Sequence, residues 1–115
     1  MAVINTTLRR DLQETLEYRY LDGSFFAGDN QGNQINVIVT TGEDPATISG
    51  SVSALVTKAD GSTVTVTGGT ISGNVASISI PSNALNIPGK VNIEVKLTQN
   101  STATTLVILF AYILG

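Results

Sequence analysis

The stretch KVNIEVKLTQ, residues 90–99, decides the fold class of this chain. Its apolar side chains fall at every second position, and the residues between them are polar or charged. A period of two places the apolar residues on one face of a β-strand and the polar residues on the other. The sequence therefore predicts a strand with one face toward a core and one face toward water.

The chain ends in a strand of a different kind, TTLVILFAYIL at residues 104–114. Nine apolar residues follow one another from Leu106 to Leu114, whereas a membrane-spanning helix needs roughly 20. An antiparallel strand with one wet face should alternate, so we expect both faces of this strand to be covered. The cover is either the N-terminal part of the chain or another copy of the protein.

Short alternating segments separated by turn residues fill the chain between these points. Asp60-Gly61 and Gly73-Asn74 mark tight hairpins, and PSNALNIPGK (81–90) predicts a short helical turn with Leu85 as a plug. With the two segments already described, they make about seven strands, which predicts an immunoglobulin-like antiparallel β-sandwich over residues 28–115. The other predicted strands are 35–41, 48–58, 63–68 and the two arms of the hairpin 70–80.

Residues 1–27 form a predicted N-terminal arm that differs in composition from the sandwich. Of the 6 basic and 9 acidic residues, 8 fall within the first 30 positions. Leu8, Leu12 and Leu16 recur at a helical spacing, whereas residues 16–21 alternate like a strand. We expect a short helix or extended segment, then a strand, then a loop at 24–34. The arm either packs on its own domain or reaches a neighbour.

The composition excludes most chemistry. There is no His and no Cys, so the usual general base and the usual transition-metal ligands are absent. A net charge of −3 argues against nucleic-acid binding, and the N-terminus has no apolar signal segment. We expect no enzyme, no catalytic residue, no cofactor, no metal and no membrane segment.

Three segments carry a resemblance to a known family. They are GDNQGNQINVIV (28–39), ISGSVSALVTKADGSTVTV (48–66) and VASISIPSNALNIPGKVNIEVKL (75–97). This part of the chain resembles the sandwich at the N-terminus of siphophage upper baseplate proteins and related small proteins of phage heads and tails. The resemblance implies a non-enzymatic virion component, often trimeric, and brings no catalytic residues.

The chain departs from that family in two ways, by the charged arm in front and by ending where the sandwich ends. We therefore expect a trimeric capsid-decorating or head-fibre base protein, made in the host cytoplasm and attached to the major capsid protein through its arm. One alternative is a baseplate or tail adaptor that holds a receptor-binding protein. Another is a carbohydrate- or receptor-binding surface module.

The predicted partner interface combines the arm with the last strand. The leucines of the arm would bury against a partner, its arginines would pair with acidic groups, its two phenylalanines would anchor the crossing into the sandwich, and the last strand would contact another protomer. The residues are, in that order, Leu8, Leu12 and Leu16; Arg9, Arg10 and Arg19; Phe25 and Phe26; and Val107, Leu109 and Ile113.

Overall fold

The protein is built from β-strands arranged in two sheets. The structure is a computed structural model that describes residues 5–13, 18–26 and 33–114. A single 3-10 turn, Ser82–Ala84, interrupts the strands in these ranges. The strands are β1 (Asn5–Asp11), β2 (Tyr18–Phe26), β3 (Asn33–Thr41), β4 (Asp44–Pro45), β5 (Ser51–Thr57), β6 (Thr63–Val66), β7 (Thr70–Ser72), β8 (Val75–Ile80), β9 (Gly89–Gln99) and β10 (Thr102–Leu114).

Two five-stranded sheets form the sandwich. One has the order β1-β3-β8-β7, with the short β4 also paired to β3, and the other has the order β2-β10-β9-β5-β6. Every described pairing within β3–β10 is antiparallel, which is the arrangement that short hairpin connections require where they join neighbouring strands such as β5 and β6 or β9 and β10. The predicted all-β sandwich is confirmed. The turn after β3 leads into the two-residue strand β4, which pairs with Thr40 and Thr41 of β3.

The core lies between the sheets and follows the alternation of the sequence. On β9 the residues Val91, Ile93, Val95 and Leu97 are each at most 1% exposed, while the residues between them are half-buried. Leu85 follows the 3-10 turn and is fully buried, which confirms the predicted plug. Burial of these apolar groups is the main stabilising contribution that the sandwich offers.

The apolar run of β10 is explained by a bulge rather than by complete cover on both faces. The register with β9 shifts between Thr105 and Val107, so Leu106 and Val107 are consecutive and both buried. After the bulge the strand alternates, and Tyr112 is 57% exposed. The expectation that both faces of this strand are covered is therefore wrong at Tyr112.

The N-terminal arm is extended at its start, not helical. Residues 5–11 form β1, which pairs in parallel with β3 over seven residue pairs. Leu8 packs against the core, Leu12 is 38% exposed in the turn after β1, and Leu16 lies outside the described residues. Leu8 and Leu12 therefore do not share a helical face. A short isolated helix is only marginally stable in water, whereas pairing with the edge of a sheet gives the backbone N–H and C=O groups of β1 hydrogen-bond partners.

The second arm strand joins the other sheet. β2 runs parallel to β10, with Tyr18 level with Ile108 and Phe26 level with Leu114. It continues through Phe25 and Phe26, so the prediction of a loop at 24–34 is wrong for residues 24–26, which belong to β2, and for residues 33–34, which belong to β3; residues 27–32 lie outside the described residues. The arm thus lays one parallel strand on an edge of each sheet.

Candidate interaction surface of the N-terminal strands

The end of β1 is tied to the turn that follows β3. Asp11 Oδ1 accepts hydrogen bonds from the backbone N–H groups of Gln13 and Gly42, each at 2.9 Å. Arg9 Nη2 donates to the Gly42 carbonyl oxygen at 2.7 Å, and the Leu12 N–H donates to the Thr40 carbonyl oxygen at 2.8 Å. We call this set of contacts the Asp11 latch. These contacts hold β1 in the observed register on β3.

The ionised carboxylate of Asp11 is the group that accepts the central hydrogen bonds of the Asp11 latch. Its pKa is held below the ordinary value of 3.8, chiefly because the Gln13 and Gly42 N–H groups bond to the ionised carboxylate. Arg9 and Arg10 add a smaller favourable Coulomb interaction, while partial desolvation acts in the opposite direction. The latch is therefore strongest when Asp11 is ionised.

The arginines that were predicted to meet a partner lie at different places. Arg9 is exposed on β1, and Arg10 is half-buried, with its Nη1 donating to the Asp11 carbonyl oxygen at 2.6 Å. Arg19 lies on β2, where its Cα is level with that of Leu109. The three arginines are therefore divided between the two arm strands, on different sheets.

Three predicted interface residues of β10 lie inside the chain's own core. Val107 is 2% exposed, Leu109 is fully buried and Ile113 is 4% exposed. These side chains have no surface to offer another protomer in this conformation, which corrects the prediction that they contact one. The apolar run misled because the bulge places successive residues inward. Tyr112, which sequence reasoning did not select, is the exposed residue of this segment.

All six aromatic residues of the chain lie on two neighbouring strands. The strands are β2, with Tyr18, Tyr20, Phe25 and Phe26, and β10, with Phe110 and Tyr112. The register places Tyr20 level with Phe110 and Phe25 level with Ile113. The Nζ of Lys90, on β9, lies 4.4 Å from the centre of the half-buried Phe110 ring on β10, a cation–π contact. The seam between the arm and the sandwich is thus the aromatic part of the molecule.

The outer face of the other sheet is polar and uncharged near β8. Asn36 Oδ1 accepts hydrogen bonds from Gln34 Nε2 and Ser77 Oγ, both at 2.8 Å. Beside these residues an open hollow of about 190 Å³ is lined by serine, threonine, glycine and glutamine, with Ile78. Its lining contains no carboxylate, amine or guanidinium group, so the hollow offers hydrogen bonds but no acid–base chemistry.

The described residues also show what the chain does not bring together. Within residues 5–13, 18–26 and 33–114, no three His, Cys, Asp or Glu residues converge on a metal-sized site. The same part of the chain contains no helix long and apolar enough to cross a membrane. What the arrangement provides is a surface built from edge strands.

These features define an all-β sandwich that carries an added parallel strand on each sheet. No protein-family model and no curated protein matches the chain in sequence. Among solved structures, its fold is similar to the N-terminal domain of phage TP901-1 ORF48, with a TM-score of 0.57 and 9% sequence identity. The similarity covers 98% of this chain and 100% of that domain.

Proposed function

We propose that this protein is a non-enzymatic structural component of a bacteriophage virion, and that its sandwich docks on another protein of the tail or baseplate. The observation that carries the proposal is the fold similarity to a phage protein domain along the whole length of both chains. A similarity of that extent takes in the N-terminal strands as well as the sandwich. The arm therefore does not argue against a role in the baseplate.

The geometry supports a docking role better than a catalytic one. The charged side chains Arg9 and Asp11 hold β1 to its neighbour, and Asp60 accepts hydrogen bonds from Ser62 in its own hairpin turn. Edge strands and an exposed Tyr112 are features by which one protein binds another. A homotrimer remains our prediction for the assembled state.

A second candidate is a capsid-decorating protein or head-fibre base. The exposed apolar residue Leu12, in the turn after β1, favours it, because its side chain would be available for contact with the major capsid protein. A glycan-binding module is the third candidate, and the aromatic seam with exposed Tyr112 favours it. Glycan-array binding that is lost when Phe25 and Phe26 are changed to Ala would support that third candidate.

The test is to locate the protein on particles. Phage particles from the strain that carries the gene are purified, their proteins are identified by mass spectrometry, and gold-labelled antibody against this chain is viewed by negative-stain electron microscopy. Gold at the tail tip supports the baseplate role, and gold over the heads supports the second candidate. Absence of the chain from purified particles would contradict a virion role altogether.

A further inference from the structure

The strand β1 is attached to the sandwich without being part of its core. Among residues 7–13, 33–81 and 83–113, for which the structure describes side-chain burial, every buried apolar side chain lies between Ile35 and Ile113. On the arm, the described side chains from Thr7 to Gln13 include none that is buried, and only Leu8 packs against the core from outside. The body of the sandwich therefore holds its core together independently of β1.

β1 is held by pairing with the edge of β3, and β3 of any other copy of this chain has the same edge. Its seven parallel pairs run from Asn5 opposite Gln34 to Asp11 opposite Thr40, and all the partners lie on β3. The Asp11 latch adds contacts to Thr40 and Gly42, on β3 and the turn after it. The same backbone groups are present on β3 of a second molecule, so the complete set of contacts can form between two chains.

The connection between β1 and β2 is short, which favours the exchange of β1 between two chains. Gln13 and Tyr18 are five Cα steps apart, which spans at most about 18 Å. The two sheets of a β-sandwich are only about 10 Å apart, so this connection is longer than the crossing from one sheet to the other requires. With β2 kept on its own β10, β1 can therefore reach β3 of a second sandwich that is in contact with the first. Short hinge connections favour the exchange of an element between identical chains, and residues 14–17 are such a connection between β1 on one sheet and β2 on the other.

We propose that the outer edge of β3, with the turn at Gly42, is a binding site for β1 of a second copy of this chain. Residues 5–13 leave their own β3 and make the same parallel ladder and the same Asp11 latch on a neighbour, while β2 remains in place. Each copy then gives one strand and receives one, an arrangement that closes into a ring. The proposal concerns self-association and does not depend on where the protein lies in a virion.

The absence of cysteine makes the test direct. Thr7 and Asn36 are Cα partners on β1 and β3. Two proteins with different tags, Thr7→Cys and Asn36→Cys, are unfolded together, refolded at high concentration and oxidised. A disulfide between the two tagged chains can form at this pair only when β1 of one chain lies on β3 of the other. We expect a heterodimer band that is lost on reduction.

The control is a pair inside the body. Ser53 and Lys96 are Cα partners on β5 and β9, which are not exchanged in the proposal. The mixture of Ser53→Cys with Lys96→Cys should give no more heterodimer than chance collision produces. Equal yields in the two mixtures would overturn the proposal, because the cross-link would then be non-specific.

A second outcome would also overturn it. If the double variant Thr7→Cys/Asn36→Cys oxidises entirely within one chain and the mixed single variants give no heterodimer, β1 stays on its own molecule. The comparison is repeated with Asn5→Cys and Gln34→Cys, another pair of the same ladder that lies outside the Asp11 latch, so that a poorly oxidising pair does not decide the result.

Discussion

Asp11 and Gly42 are joined by a hydrogen bond across 31 positions of the chain, from the Gly42 N–H to the Asp11 carboxylate at 2.9 Å. This contact fastens β1 to the turn after β3. Through this contact a side chain at the end of the first arm strand binds a backbone group of the sandwich.

Changing Asp11 to Ala should loosen β1 without unfolding the sandwich. The Gly42 and Gln13 N–H groups lose their acceptor, so β1 opens more often and its amides exchange faster with solvent. Amide hydrogen exchange read by mass spectrometry should show faster exchange in residues 5–11 and unchanged exchange in β9. The matched control is Asp60→Ala, since Asp60 accepts hydrogen bonds from Ser62 within its own hairpin. Equal effects of both variants on β1 would contradict the latch.

The contribution of Asp11 should disappear in acid. Its pKa in the folded protein is below the ordinary value of 3.8, so the folded state favours the ionised form. The stabilisation is present in full above pH 3.8 and is lost as the pH falls through the lower folded value. The difference in unfolding midpoint between the natural protein and Asp11→Ala should therefore narrow from pH 7 to pH 3. Asp60 is present in both proteins, and its own pKa shift cancels. A constant difference would show that the charge has no role.

Changing Leu85 to Ala should weaken the whole sandwich. Leu85 is fully buried at one end of the core, and removal of such a side chain typically lowers the free energy of unfolding by roughly 2–5 kcal/mol. Denaturant unfolding should show a lower midpoint with an unchanged slope. Ile87→Ala is the control, because Ile87 lies two residues away and is half-buried. A loss for Ile87→Ala as large as that for Leu85→Ala would mean that Leu85 is not the plug.

Changing Gly69 to Ala should also be destabilising, for a steric reason. A Cβ atom at Gly69 would lie 2.6 Å from Val52 Cβ and 2.7 Å from the Ser77 carbonyl oxygen, closer than van der Waals contact permits. Overpacking of this kind typically lowers stability by about 1–3 kcal/mol. Gly61→Ala is the control: its φ of +88° disfavours Ala, but the space around it is open. Thermal unfolding should rank Gly69→Ala as the less stable protein, and the reverse order would refute the close approach.

The strand pattern could be predicted where periodicity and turn residues agree. The strand β9, the Asp60-Gly61 hairpin and the buried Leu85 follow from alternation and turn chemistry alone. The inward orientation of both Leu106 and Val107 could not be predicted, because a bulge changes the register without a sequence signature at this site. The helical spacing of Leu8 and Leu12 did not produce a helix, because tertiary pairing of residues 5–11 with β3 overrides a weak local preference.

The Asp11 latch could not be predicted at all. It joins Asp11 to Gly42 across the long sequence separation that parallel pairing creates, and nothing near either residue indicates the other. The aromatic seam could be predicted in part, because the sequence shows that the aromatic residues occur only near the two ends of the chain. Their meeting on β2 and β10 required the topology.

Removing residues 2–27 should leave a folded sandwich that no longer attaches to particles. The described core lies between Ile35 and Ile113, and the antiparallel ladders of β3–β10 stay complete without the arm. Loss of both edge strands exposes the backbone of β3 and β10, so we expect a lower unfolding midpoint and greater aggregation at high concentration. Circular dichroism during denaturant unfolding measures the first effect, and sedimentation with particles that lack the protein measures attachment.

A shorter truncation separates the roles of the two arm strands. Removing residues 2–13 deletes β1 and the Asp11 latch but keeps β2 on β10. If β1 is the segment that attaches to particles, this variant should still unfold cooperatively, at a lower midpoint than the full chain because the β3 edge is exposed, and it should fail to co-sediment with particles. Attachment that survives the removal of residues 2–13 and is lost with residues 2–27 would assign this role to β2. Attachment that survives both truncations would contradict the role of the arm, and would leave the sandwich faces, with exposed Tyr112, as the docking surface.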